Sequence, residues 1–371
     1  MSMDKTILIR RQALEDFCAE VFVKAGLSAE DARLSARILV TADARGTHSH
    51  GTGRMMRYIK GLEAGMMLPD AKPETLYESP VSLTIDARGA MGFPVSYRTM
   101  TKVIEKAEKV GMACASVRNS NHFGIAGYYA MMALGHDMIG VAMTNTAALC
   151  VPTFGKNVMT GTNPLAFCAP GDRERAFVLD MATTTVPRGK LELYERTAHE
   201  LPSGWAVDAS GHPATDAGQV LRDMLDRRGG GLLPLGGFGE LGGGYKGYGL
   251  SVMVDILCAM LSGAPTGPDV VDPPETSGRV SHFFAAVKIA AFTDPREFRR
   301  HMDEMLSRLK NSPRAVGCDR IYVPGEKEFE TEEYNNRHGI PLDRKSYENL
   351  QLLAEKYRIE APPVAPDGGC E

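Results

Sequence analysis

A switch in hydrophobic periodicity near residue 70 limits what this chain can become. Before it, apolar residues return at helical spacing, as in Leu34, Ile38, Leu39 and Ala42, behind a capping box at Ser28-Ala29-Glu30-Asp31. Gly65 and Pro69 close that region, and from Val81 strands alternate with helices. The switch marks a first domain boundary.

Beyond it the pattern predicts strands at 81–85, 113–117, 138–143, 165–170, 176–182 and 283–292. Helices are expected from Pro94, taken as a first helical position, to Val110, over 125–134 and over 341–357. Asp294-Pro295-Arg296-Glu297 starts another helix, with Phe298, Met302, Met305, Leu306 and Leu309 as its buried side. Two strands end in polar clusters, Asn119-Ser120-Asn121-His122 and Thr144-Asn145-Thr146, which is how α/β sheets present ligand groups.

Composition narrows the partners. The 371 residues are 43% hydrophobic and 24% charged with a net charge of -4, which argues against a nucleic-acid surface or an anionic membrane and leaves small molecules. The amino-terminal Met1-Ser2-Met3-Asp4-Lys5 is charged, and no apolar run reaches the length of a signal core or a membrane span. Seven scattered cysteines, Cys370 among them, include no CxxC pair, so a cytoplasmic protein with reduced thiols and no structural zinc is expected.

Candidate chemistry concentrates in Thr47-His48-Ser49-His50-Gly51-Thr52-Gly53-Arg54-Met55-Met56-Arg57-Tyr58. A helix beginning near Ser49 would bring His50, Arg54 and Tyr58 onto one face. An imidazole near neutral pKa passes a proton, and a guanidinium grips a carboxylate through two parallel hydrogen bonds, a combination suited to a small organic acid. His122, in a loop with flanking asparagines and Gly124, is a second imidazole of interest. Spacing leaves open which of the two histidines moves the proton.

Gly242, Gly244 and Gly247 satisfy GxGxxG, yet Gly236-Gly237-Phe238-Gly239-Glu240 precedes them instead of an apolar strand, so a Rossmann fingerprint is not supported. Two readings stay open for this tract: a Lys246-containing loop whose backbone receives a phosphate, or a flexible surface loop.

Six motifs then occur in order: Arg45-Gly46-Thr47-His48-Ser49-His50-Gly51, Asn121-His122-Phe123-Gly124, Gly161-Thr162-Asn163-Pro164-Leu165-Ala166-Phe167, Leu179-Asp180-Met181-Ala182-Thr183-Thr184, Gly204-Trp205-Ala206-Val207-Asp208 and Lys246-Gly247-Tyr248-Gly249. Over roughly residues 10 to 330 the chain resembles the type 2 malate/L-lactate dehydrogenases, the sulfolactate dehydrogenase-like family. The resemblance implies an α+β, non-Rossmann fold with a central mixed, largely antiparallel sheet domain (79–293). Helical segments from both chain ends (1–78 and 294–371) would pack beside it. It implies hydride transfer between NAD or NADP and a 2-hydroxy acid/2-oxo acid pair, in a homodimer with sites near the subunit boundary.

Carried over by motif, His122 would be the acid/base, with His50 and Arg54 beside the substrate. Ser49, Tyr58 and Thr162 complete the substrate side. Thr146, Asp180, Met181, Ala182, Lys246, Gly325 and Glu326 match cofactor-contacting positions. Cys150, Thr153-Phe154 and residues 187–201 depart from the usual pattern, which bears on substrate and cofactor preference. The rival readings are a cyclic-imine reductase of the same family, a metal-dependent hydrolase using the His48/His50 pair, and a metabolite-binding protein without turnover.

Overall fold

The computed structural model describes residues 6–271 and 278–365, so Met1 to Lys5 and Cys370 lie outside the described residues. In chain order, β1 (Ile7–Ile9), α1 (Arg11–Lys24), α2 (Ala29–Ala44) and α3 (Met55–Glu63) form the amino-terminal part. The sheet region follows with β2 (Glu74–Glu78), β3 (Ser82–Asp86), α4 (Gly92–Val110), β4 (Met112–Ser120), α5 (Ala126–Met132), β5 (Met138–Thr144), β6 (Leu165–Ala169) and β7 (Phe177–Met181). An excursion holds α6 (Arg188–Arg196), β8 (Ala206–Val207), α7 (Ala217–Leu225) and β9 (Gly231–Leu232). The chain then returns through α8 (Gly244–Cys258) and β10 (Val280–Lys288), and ends with α9 (Pro295–Lys310), α10 (Glu326–His338), β11 (Ile340–Leu342) and α11 (Arg344–Tyr357).

Seven strands make one mixed sheet in the order β2-β3-β4-β10-β5-β6-β7, antiparallel throughout except for β3 beside β4. Because β10 lies antiparallel between β4 and β5, and β6 antiparallel between β5 and β7, strands β4, β5 and β7 run the same way. Their carboxyl ends, at Ser120, Thr144 and Met181, therefore share one edge. Helices α4 and α5 pack on one face and α8 on the other. The largest core runs from Leu14, Phe22 and Leu39 through Phe93 and Tyr129 to Phe284, and a smaller one under the excursion includes Leu191, Val220 and Leu232.

Both chain ends meet. Ile9 pairs with Ile340 between antiparallel β1 and β11, Asn335 Nδ2 donates to Ala44 O at 2.9 Å, and Arg45 pairs with Glu332 at 2.8 Å. The caps read from sequence form: Ser28 Oγ accepts from Asp31 N, and Asp294 from Arg296 N.

Several expectations are corrected. No single helix starts at Ser49: His48–His50 and Thr52–Arg54 are separate 3-10 turns, and α3 begins only at Met55. Helix α4 begins at Gly92, so Pro94 is its third residue; a Cβ on Gly92 would stand 2.1 Å from Asn121 O. Strand β10 stops at Lys288, short of Phe292. On α9 only Leu306 is buried, while Met305 and Leu309 are about half exposed, at 47% and 50%. In the glycine tract, Gly247 crosses the chain so closely that a Cβ would lie 2.3 Å from Leu235 N.

Candidate active site

Asp43, in the last turn of α2, organises the first half of the site. Its buried carboxylate accepts from Thr52 N (2.6 Å), Thr52 Oγ1 (2.7 Å) and His48 Nδ1 (3.0 Å). These bonds fold residues 48–52 back onto α2, which is why one continuous helix does not form. The close approach needs a glycine: a Cβ on Gly51 would stand 2.0 Å from Asp43 Oδ1. The hydrogen bond to Asp43 raises the His48 pKa. Sequence reasoning missed Asp43; only its place eight residues before Gly51 hints at it.

This fold-back carries His50 and Arg54. His50 Nδ1 lies 2.9 Å from Ser49 Oγ, and Arg54 Nε donates to Ser49 O. Desolvation, and then the charge of Arg54, lower the His50 pKa to about 3, so this imidazole is neutral.

The second half comes from the end of β4. Asn121, fully buried, donates to Gly89 O (3.1 Å) and Ala90 O (3.0 Å), which pins the loop holding His122. His122 stacks on His50 with ring centroids 5.3 Å apart. Its Nδ1 lies 2.7 Å from the hydroxyl of Tyr58 and accepts the Gly124 N–H at 3.3 Å. Because a backbone N–H only donates, Nδ1 carries the lone pair and the ring proton sits on Nε2. Desolvation, then Arg54, His50, Arg57 and His282, hold the His122 pKa well below its usual value. Beneath it, buried His282 bridges Thr144 (2.9 Å) and Ser120 (2.8 Å) and stacks on Phe123 at 4.4 Å, joining the ends of β4 and β5. Nothing in the residue pattern pointed to this histidine, since it lies inside an apolar strand.

A cavity of about 550 Å³ opens along this edge. It brings together Ser49, His50, Thr162, Asp180, Met181, Ala182 and Gly325 from the sequence expectations, and adds Arg45 and Lys327, which those expectations omitted. Asp180 Oδ2 accepts the Gly127 N–H at 2.7 Å. Desolvation by the cavity walls pushes its carboxyl up to about 6, against the pull of Gly127 and Arg45. Since the native carboxyl binds a proton more readily than the unfolded one, this group costs stability above about pH 6 and ceases to do so as pH falls. Because the Asp180 side chain is exposed to the open cavity, solvent offsets most of this cost, and Asp180→Asn is expected to raise Tm by less than about 1 °C at pH 8. The gain should fall to about half at pH 5 and vanish only below about pH 4, under the pKa of the unfolded carboxyl.

Of the expected residues, His122, Arg54 and Tyr58 do not line this cavity but adjoin it through His50 and Ser49, and three others lie elsewhere. Thr146 stands behind the wall, its Oγ1 accepting the Thr162 N–H at 3.0 Å. Glu326 is buried beneath the 322–325 turn, bound to Arg320 at 2.7 Å, because a carboxylate there needs a cation partner. Lys246 is exposed at the start of α8, beside the Tyr245 ring, and not on the cavity wall. His48 and His50 turn to different partners, and among the described residues no cluster of three or more His, Cys, Asp or Glu side chains gathers.

Residues 9–351 match the family model described as malate/L-lactate dehydrogenase. The chain belongs to the malate/L-lactate dehydrogenase family. Among relatives, a malate dehydrogenase of Pyrococcus abyssi is 42% identical over 358 residues, covering 96% of this chain and 97% of the relative. An L-sulfolactate dehydrogenase of Methanocaldococcus jannaschii is 37% identical over 339 residues, covering 91% and 93%. The crystal structure of a malate dehydrogenase from Entamoeba histolytica superposes with a TM-score of 0.92 at 33% identity, covering 97% of this chain and 100% of that one. A malate/L-lactate dehydrogenase acts on CH–OH donors with a nicotinamide cofactor, and the α+β fold with its mixed sheet is the family's.

Proposed function

We propose that the chain interconverts a 2-hydroxy acid and its 2-oxo acid, with His122 moving the proton and Arg54 holding the substrate carboxylate. The observation that carries this reading is the stack of two imidazoles, His50 on the cavity wall and His122 against it, with Arg54 held to Ser49 on that wall. Of the two, His122 is the better proton carrier: a buried phenol and a backbone amide fix its ring, whereas His50 leans on an exposed serine.

The cavity suits NAD or NADP. Its walls pair apolar Ile125, Met131 and Leu179, fit for flat rings, with Arg45 and Lys327, fit for phosphates, and with Asp180 for a ribose or amide. When bound, the nicotinamide supplies or accepts the hydride. The protein positions the substrate and moves the proton.

Arg54 and Arg57 lie three positions apart in and before α3, so they share one side, and the charge of both falls on His122. Two guanidiniums favour a substrate with a second acidic group, such as malate, over lactate. The test is a panel of oxaloacetate, pyruvate, 3-sulfopyruvate and cyclic imines with NADH and NADPH. Fastest turnover is expected with a dianionic 2-oxo acid. Arg57→Gln is expected to raise KM about 10-fold for oxaloacetate and to leave that for pyruvate unchanged. Turnover of cyclic imines alone would overturn the assignment.

We also propose a cytoplasmic homodimer. Helix α8 is mostly apolar beyond Lys246 yet leaves Ile256 and the following Met260 and Leu261 about half exposed, at 49%, 55% and 55%. The thiols of the six described cysteines are free, as a reducing compartment keeps them. Light scattering at micromolar concentration checks the dimer.

A further inference from the structure

We propose that Tyr58 is the proton reserve of the site: its hydroxyl passes a proton to His122 Nδ1 as Nε2, on the opposite edge of the ring, gives its own to the substrate oxygen. This inference rests on the functional reading above. Its geometric basis is the 2.7 Å contact between a phenol that is 1% exposed and a ring nitrogen already fixed as an acceptor by the Gly124 amide.

The need for a reserve follows from the surroundings. A histidine giving up its proton alone must begin as imidazolium. Around this pair stand Arg54 from the 3-10 turn before α3, Arg57 from α3, His50 from the preceding 3-10 turn, His282 from β10 and Tyr129 from α5. None of these is a carboxylate that would stabilise an imidazolium, and two are permanent cations. An imidazolium is therefore disfavoured, and the proton lost at Nε2 is replaced at Nδ1 from the Tyr58 hydroxyl.

The relay balances. In reduction of a 2-oxo acid, the Tyr58 O–H bond breaks and an Nδ1–H bond forms, while Nε2–H breaks and the substrate O–H forms. The carbonyl carbon meanwhile takes the hydride of the reduced nicotinamide and is itself reduced. The imidazole stays neutral and ends as the Nδ1–H tautomer, beside a Tyr58 phenolate. One proton from solvent then resets the pair before the next turnover. Oxidation of the 2-hydroxy acid runs the same steps backward from the phenolate form. One ionisation shared by the pair thus sets the direction: reduction needs the full complement of protons, and oxidation needs one fewer.

Tyr58→Phe keeps the ring and removes the reserve. With Tm matched to wild type, kcat for 2-oxo acid reduction at pH 7.5 is expected to fall on the order of 10²-fold while KM stays within about twofold. The falling limb of the pH–rate profile should move toward acid by more than one unit. In H₂O/D₂O mixtures, wild type should give a curved proton inventory indicating two protons in flight, and the variant a straight line. An unchanged pH profile and matching inventories would overturn the relay while leaving the functional reading intact. Absence of turnover by wild type on every 2-oxo acid would instead sink the functional reading. The ¹⁵N spectrum of His122 in the cofactor-free protein would then decide the geometry, an Nε2–H tautomer upholding the arrangement and an Nδ1–H tautomer ending it.

Discussion

Replacing His122 by alanine is expected to lower kcat about 10³-fold in both directions, the range lost when a positioned general acid–base group is removed. KM for the 2-oxo acid should change little, because in the proposed arrangement Arg54 and Arg57 remain to hold the acidic groups. Cofactor affinity, read by quenching of protein fluorescence, should also survive, since the cavity wall runs through Gly124 to Gly127 and Asp180. His50→Ala serves as the control. It removes the stacked neighbour 5.3 Å away without touching the Nδ1 contacts of His122, so a smaller loss is expected. The reverse order of the two losses would exchange their roles.

The second large effect is expected at a residue with no functional group. In Gly51→Ala, the new methyl would need the space of the Asp43 carboxylate, 2.0 Å away. That carboxylate cannot retreat cheaply: it is buried and holds the Thr52 amide, the Thr52 hydroxyl and His48. The loop must move instead, and with it His50 and Arg54. A shift of about 1 Å in a substrate-positioning group costs on the order of 10²-fold in kcat/KM. Overpacking adds about 1–3 kcal/mol of instability, read as a fall in Tm of a few degrees. Wild-type kcat/KM in a folded Gly51→Ala protein would show that the loop's path does not matter to turnover.

Much of this was legible in the sequence, and what was hidden has physical reasons. Strand periodicity located β3 to β7 within a few residues, because each alternates or runs apolar between strong turn signals. The ordered motifs carried the family and the fold. His50 and Arg54 were picked out by side-chain chemistry, and Ser49, Thr162, Asp180, Met181, Ala182 and Gly325 by motif, and all of these except Arg54 line one cavity. What failed was local geometry set by distant partners. The 47–58 stretch has helical spacing, but a carboxylate on α2 outcompetes helix formation there. Glu326 sits in a motif beside the cavity wall, yet its carboxylate turns inward to Arg320. Met305 and Leu309 have core spacing on a helix whose neighbours cover only Leu306. Each depends on what lies across the fold, which spacing along the chain cannot encode.

The knitting of the two chain ends has a consequence for synthesis. Arg45 and Ala44, at the root of the site loop, find their partners 287 and 291 positions downstream, in Glu332 and Asn335, and Gly53 rests against Ser346. A ribosome has therefore passed Ser346 before the loop carrying His50 and Arg54 gains its full backing. Until then the earliest-made helices expose apolar surface that α10, α11 and β11 later cover, so this segment stays open to non-native contacts longest during translation.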